Sequence, residues 1–160
     1  MIIPTTKTLF LEQEKSFDDW RRQVNYFKKL LVDRPEQTWL LYEQDCYQFS
    51  ILFFALLATN RNIVLPQNGQ TQQLQQCMLK VDGFIGSEPP PNSHHFDLAN
   101  AFEESENSHS GHLSSDQQEP IEFSSDNPIT FFTSGSSGEP KAILKSIGQL
   151  LLEVETLEST

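Results

Sequence analysis

Between Thr133 and Lys141 the chain reads TSGSSGEPK, which sets Thr133, Ser134, Ser136 and Ser137 around Gly135 and Gly138 and closes on an ammonium group. Hydroxyls donate hydrogen bonds and can rotate to follow an oxyanion, and lysine adds a compact full charge. Glycines reach positive φ without a steric cost, so backbone amides can turn inward as a concave nest of donors. A loop of this composition suits a highly charged anion such as a triphosphate or pyrophosphate. Its spacing is not that of the nucleoside-triphosphatase loop, which needs four residues before Gly-Lys and then Ser or Thr. Here two residues separate the glycines, and Pro140 stands in front of Lys141. Proline fixes its own φ and pushes Glu139 towards extended backbone, so Lys141 is expected to re-enter a strand. A Ser/Gly tract can also be a plain flexible linker; the apolar run PITFF ahead of it and the Pro-Lys pair behind it argue against that.

The elements that must hold such a loop are legible upstream. PITFFT, 128–133, reads as the strand that feeds it, and SIGQLLLEVETLE after it carries Ser146 and Gln149 in a capping-box pattern before a helix. Phe17, Trp20, Val24, Phe27, Leu30 and Leu31 fall at helical spacing, with Ser16, Asp18 and Asp19 suited to the N-terminus of that helix. TWLLY (38–42), NIVLP (62–66) and GFIG (83–86) read as short buried strands. Between them lie an almost wholly apolar helix from about Tyr47 to Thr59 and a Gln-rich amphipathic one over 71–81. Strand and helix in alternation predict an α/β fold, a mostly parallel sheet flanked by helices. Residues 1–87 form the βαβ-type part. Residues 88–127, rich in Pro, Ser, Asn and acids, read as a long loop or crossing segment, and 128–160 hold strand, loop and last helix.

Composition narrows the partners. The 160 residues carry 22 acidic and 11 basic side chains, a net charge of −11. No Lys or Arg occurs between Lys80 and Lys141, while Asp82 to Glu139 supply 11 carboxylates, which equals the whole excess. With no basic stripe to neutralise phosphates, nucleic acid is not an expected partner. The longest apolar run, FSILFFALLA, is about half of the ~20 residues a bilayer span needs. Two cysteines and no basic-apolar leader point to reduced thiols in the cytoplasm. His94, His95, His109 and His112 lie among acids without ligand spacing and read as solvated, so no metal site is expected. EESE, 103–106, reads as a charged surface run.

ITFFTSGSSGEPKAI resembles the Ser/Gly-rich phosphate-loop signature of the AMP-dependent synthetase and ligase superfamily, the adenylate-forming, acyl-CoA synthetase-like enzymes. It departs at Ser137, where the family usually has Thr, and at Ala142, where it often has Gly. YQFSILFFALLATNRNIVLPQN is similar to the helix and strand upstream of that loop, and KSIGQLLLEVETLE to the segment after the loop in the aryl-polyene-cluster subgroup. The resemblance implies a two-step reaction. A carboxylic acid attacks the α-phosphate of Mg-ATP to give an acyl-adenylate, and CoA or an acyl carrier protein then takes the acyl group. Thr133, Ser134, Gly135, Ser136, Ser137, Gly138 and Lys141 would hold the β- and γ-phosphates. No catalytic residue is carried over, because the adenine contacts, the metal-binding acid and the small-domain lysine of such enzymes lie downstream of this loop. The chain is therefore expected to be the incomplete N-terminal part of a ligase domain, inactive alone, with Mg held mainly by residues outside it. The alternative is a truncated relative that acts as a binding module. An incomplete sheet is also expected to expose an edge and apolar helix faces.

Overall fold

The computed structural model describes residues 8–10, 15–107, 119–133 and 141–158. A short antiparallel pair, β1 (Thr8–Phe10) with β2 (Lys15–Ser16), leads into helix α1 (Phe17–Val32). Ser16 caps that helix reciprocally: its hydroxyl accepts from the Asp19 amide at 3.1 Å, and the Asp19 carboxylate accepts from the Ser16 amide at 3.3 Å. Two orphan donors are thereby satisfied at the positive end of the helix dipole. The rest of the chain alternates as the sequence predicts: β3 (Thr38–Tyr42), α2 (Cys46–Ala58), β4 (Asn62–Leu65), α3 (Thr71–Met78) and β5 (Gly83–Gly86). Then come α4 (Ala99–Asn107), β6 (Pro128–Thr133), β7 (Lys141–Ser146) and α5 (Ile147–Glu158).

Five strands form one sheet in the order β5-β3-β4-β6-β7. The first four are mutually parallel and β7 pairs antiparallel to β6. From β3 the chain steps through α2 to β4 on one side, then returns through α3 past β3 to β5 on the other. Right-handed crossovers taken in opposite directions put their helices on opposite faces, and the core divides accordingly. Trp39, Leu41, Ile63, Ile85 and Ile129 face a large cluster with α1 and α2, whereas Leu40, Val64, Phe84 and Phe132 face a smaller one with Leu74 and Cys77 of α3. The alternation along TWLLY is the period-two signature of a strand buried on both faces.

Helix α1 lies over α2, with the Trp20 indole N–H donating to Ser50 Oγ at 2.9 Å. Its C-terminal carbonyls are met by Arg61, whose Nη2 donates to Leu31 O at 2.9 Å, Val32 O at 3.3 Å and Arg34 O at 2.9 Å. Asn127, buried just before β6, donates to the Leu57 carbonyl at the end of α2 at 2.9 Å.

The segment 88–127, read from sequence as a long loop or crossing segment, contains α4. Leu98, Phe102 and Ser105 recur at helical spacing, but acids dilute the stripe and no strong cap marks its start. Tertiary packing completes it: the rings of Phe27 and Phe102 meet at 4.6 Å, and the Tyr26 hydroxyl donates to Glu104 at 2.8 Å. Glu103 to Glu106 thus belong to a helix laid on α1. Ahead of it, His95 bridges to Phe84 in parallel and prolongs the sheet beyond β5 for one residue.

Cys46 is exposed and Cys77 is buried, and both are free thiols. Burial pushes the Cys77 thiol up, with the charge of Lys80 opposing it. Under native conditions at neutral pH a thiol reagent is expected to label Cys46 at least about tenfold faster than Cys77. Peptide mapping of the labelled chain checks this, and equal rates would contradict the packing of α3.

Candidate functional site at the carboxyl ends of the parallel strands

Parallel strands deliver their following loops to one end of the sheet, where open α/β folds place ligands. At that end stand Glu43 after β3, residues 66–70 after β4, Ser87 after β5 and Thr133 at the close of β6. The loops after β3 and β4 leave to opposite faces, since α2 and α3 flank different sides.

β6 and β7 flank the segment expected from the sequence to be a phosphate loop. Their ladder runs from Pro128↔Ser146 to Thr133↔Lys141, and the Thr133 hydroxyl reaches the Lys141 carbonyl at 3.5 Å. Lys141 opens β7, as Pro140 requires, and its side chain is exposed. Thr133 and Lys141 are therefore held opposite one another at the mouth of a hairpin. Ser134, Gly135, Ser136, Ser137 and Gly138 lie outside the described residues. Close by, Lys80 Nζ stands 5.1 Å from the Phe132 ring centroid.

The same end carries a second feature that no sequence motif marks. A cavity of about 530 Å³ opens where β3, β5 and α4 meet. Phe96, Leu98 and Phe102 provide an apolar surface, and Glu43, Asp97, Glu103 and Glu106 bring carboxylates to it. Gly86 and Ser87 form part of the wall, and the Ser87 hydroxyl oxygen is buried without a hydrogen-bond partner. Gly86 adopts φ +138, and a Cβ there would lie 1.7 Å from the Tyr42 carbonyl oxygen. The available sequence signal was a small pair, Gly86-Ser87, at the end of a strand, followed by an interrupted apolar stripe over 96–105.

Of the histidines, His94 is exposed and its Nδ1 stands 3.1 Å from Glu36, whose carboxylate is buried; His95 lies at the cavity. His109 and His112 fall outside the described residues. Among the described residues no group of three or more His, Cys, Asp or Glu is arranged to hold a metal ion. None of the described helices is long and apolar enough to cross a membrane.

No protein-family model matches the sequence, and a search of curated proteins finds no match. Solved structures do share the fold. The Klebsiella oxytoca NpsA N-terminal subdomain in complex with 3-hydroxyanthranilyl-AMSN superposes with a TM-score of 0.60 at 14% identity, over 87% of this chain and 36% of that one. VinN in complex with 3-methylaspartate gives 0.62 at 15% identity, over 90% and 44%. Mycobacterium tuberculosis fatty acyl CoA synthetase gives 0.53 at 13%, over 83% and 29%. The chain thus spans less than half the length of each, and likeness at this identity is a likeness of fold.

Proposed function

We propose that this chain is the ATP-phosphate-binding N-terminal portion of an AMP-forming acyl ligase, which activates a carboxylic acid as its acyl-adenylate and passes it to CoA or an acyl carrier protein. The observation that carries the reading is the hairpin mouth. A sequence suited to cradling phosphates runs from Thr133 to Lys141, and those two residues face each other at the carboxyl end of a parallel sheet. The fold shared with an acyl-CoA synthetase and with a subdomain bound to an acyl-AMSN ligand supports the same chemistry. In this reading Thr133, Ser134, Ser136 and Ser137 direct hydroxyls at the β- and γ-phosphates, Gly135 and Gly138 allow the backbone to close, and Lys141 neutralises charge. Positioning and charge stabilisation are the main protein contributions to such transfers. Among the described residues no carboxylate set is arranged for Mg; in this reading the ion comes with the nucleotide. The aryl-polyene subgroup is the finer assignment that KSIGQLLLEVETLE supports. A cytoplasmic setting goes with ATP and CoA as co-substrates.

Titration of the chain with Mg-ATP tests the loop. Lys141→Ala is expected to weaken binding about tenfold, Lys141→Arg to recover part of the loss, and both to leave the circular dichroism unchanged. ATP affinity indifferent to Lys141 would overturn the assignment.

A binding module without turnover is the second reading, favoured by one feature. Ile143 and Leu144 on the edge strand β7, with Leu152, Val154 and Leu157 of α5, leave apolar surface open to solvent. Assayed on the natural gene product in which this chain occurs, ATP-dependent hydroxamate formation from carboxylic acids separates the two, since only a ligase supports it.

A further inference from the structure

We infer that Lys80 is a second cationic contact for the phosphates that Thr133 and Lys141 hold, reaching the hairpin mouth from the α3 face of the sheet. The inference rests on the phosphate-loop reading and adds to it a residue that no motif marks. Lys80 follows the end of α3 by two residues, where a lysine ordinarily does no more than complement the helix dipole. Here the side chain turns to the sheet instead. Its Nζ stands 5.1 Å from the centroid of the buried Phe132 ring, and its charge opposes the upward push that burial gives the Cys77 thiol.

Phe132 fixes where that charge stands. It is the residue before Thr133, and it pairs with Ala142, the residue after Lys141. Side chains alternate along a strand and directly opposed residues share a face. Thr133 and Lys141 therefore project to one face of the β6–β7 hairpin, and Phe132, packed with Leu74 and Cys77 of α3, projects to the other. Lys80 and Lys141 thus come to the same strand end from opposite faces. A polyphosphate seated at that end would be bracketed by two ammonium groups.

Lys80 is also available to an anion. The residue is exposed, and among the described residues its ammonium forms no ion pair. Asp82, the nearest acid in sequence, is engaged by the amides of Gln37 and Thr38 at 3.0 and 2.8 Å. An aromatic face attracts an ammonium without neutralising it, which leaves the full charge for a ligand. The surroundings give that charge weight: Lys80 is the only Lys or Arg from Asn62 to Pro140, in a chain of net charge −11. A polyphosphate approaching such a chain meets repulsion, which a second local cation offsets.

Calorimetric titrations of the natural gene product in which this chain occurs, with Mg-ATP and with Mg-pyrophosphate, test the contact. Lys80→Gln is expected to weaken both ligands by the same factor, about tenfold. Lys80→Arg keeps the charge and the ring contact and should stay within about threefold of the parent. The unfolding midpoints of both variants stay that of the parent. Lys141→Ala is the reference: if it weakens Mg-ATP while Lys80→Gln does not, Lys80 is only a surface lysine resting on a ring, and this inference falls while the phosphate-loop reading stands. A loss for ATP without one for pyrophosphate would place Lys80 at another part of the nucleotide and overturn the assignment. A parent that binds neither ligand, or a Lys141→Ala that changes nothing, takes the phosphate-loop reading and this inference down together.

Discussion

Gly86→Ala is expected to destabilise the chain by about 3 kcal/mol or more, seen as a lower urea midpoint with an unchanged slope. Two separate penalties combine at this position. The backbone sits at φ +138, a conformation that side-chain-bearing residues rarely adopt, and a Cβ would lie 1.7 Å from the Tyr42 carbonyl oxygen. That oxygen belongs to the backbone of β3, paired in register with Gly86, so it cannot swing aside as a side chain would. Relief requires the end of β5 to peel away from β3, which sacrifices ladder hydrogen bonds next to the cavity wall. Gly69 supplies the internal control. A Cβ there would lie 2.0 Å from the Tyr42 hydroxyl oxygen, the far end of a side chain that can move, and Gly69→Ala is expected to cost about 1 kcal/mol. Equal costs at the two glycines would show that backbone strain at Gly86 is not the deciding term.

Arg61→Met should cost a comparable amount, about 3 kcal/mol, by a different route. Arg61 is only 5% exposed, and its Nη2 donates to the carbonyls of Leu31, Val32 and Arg34. It therefore closes the C-terminal end of α1, where carbonyls lack intrahelical partners and the dipole is negative. Methionine keeps the length and apolar bulk but withdraws every donor. Relief from burying a charge offsets part of the loss, which keeps the cost below that of a severed buried ion pair. Hydrogen exchange gives the more specific readout: protection should fall in the last turn of α1 and at Arg34 while that of α3 is kept. Uniform loss of protection, or none, would contradict the capping role.

Much of this architecture is legible in the sequence because strong local signals coincide with the global pattern. TWLLY and NIVLP are short apolar runs between turn residues, and Ser16 with Asp19 marks a helix start that tertiary contacts only reinforce. Pro140 sets the expectation that Lys141 begins a strand, and β7 starts there. Helix α4 escapes because its stability is not local: Phe102 and Tyr26 secure it through α1, whose residues are far away in sequence. The cavity escapes for the same reason. Glu43, Ser87 and Glu103 are far apart along the chain and meet only because β5 crosses back past β3. Residues that share one loop, such as Thr133 to Lys141, announce their chemistry by spacing, whereas residues assembled by topology do not.

The β6–β7 ladder also bears on how the segment between these strands can vary. With Thr133 and Lys141 fixed as partners, the ends of 134–140 are brought together by the sheet, and the closure entropy of that segment grows only logarithmically with its length. Doubling the number of residues would cost roughly 0.6 kcal/mol, little beside the strand pairing that holds its ends. Stability therefore sets almost no limit on the length of this segment, and TSGSSGEPK is free to answer to whatever it binds.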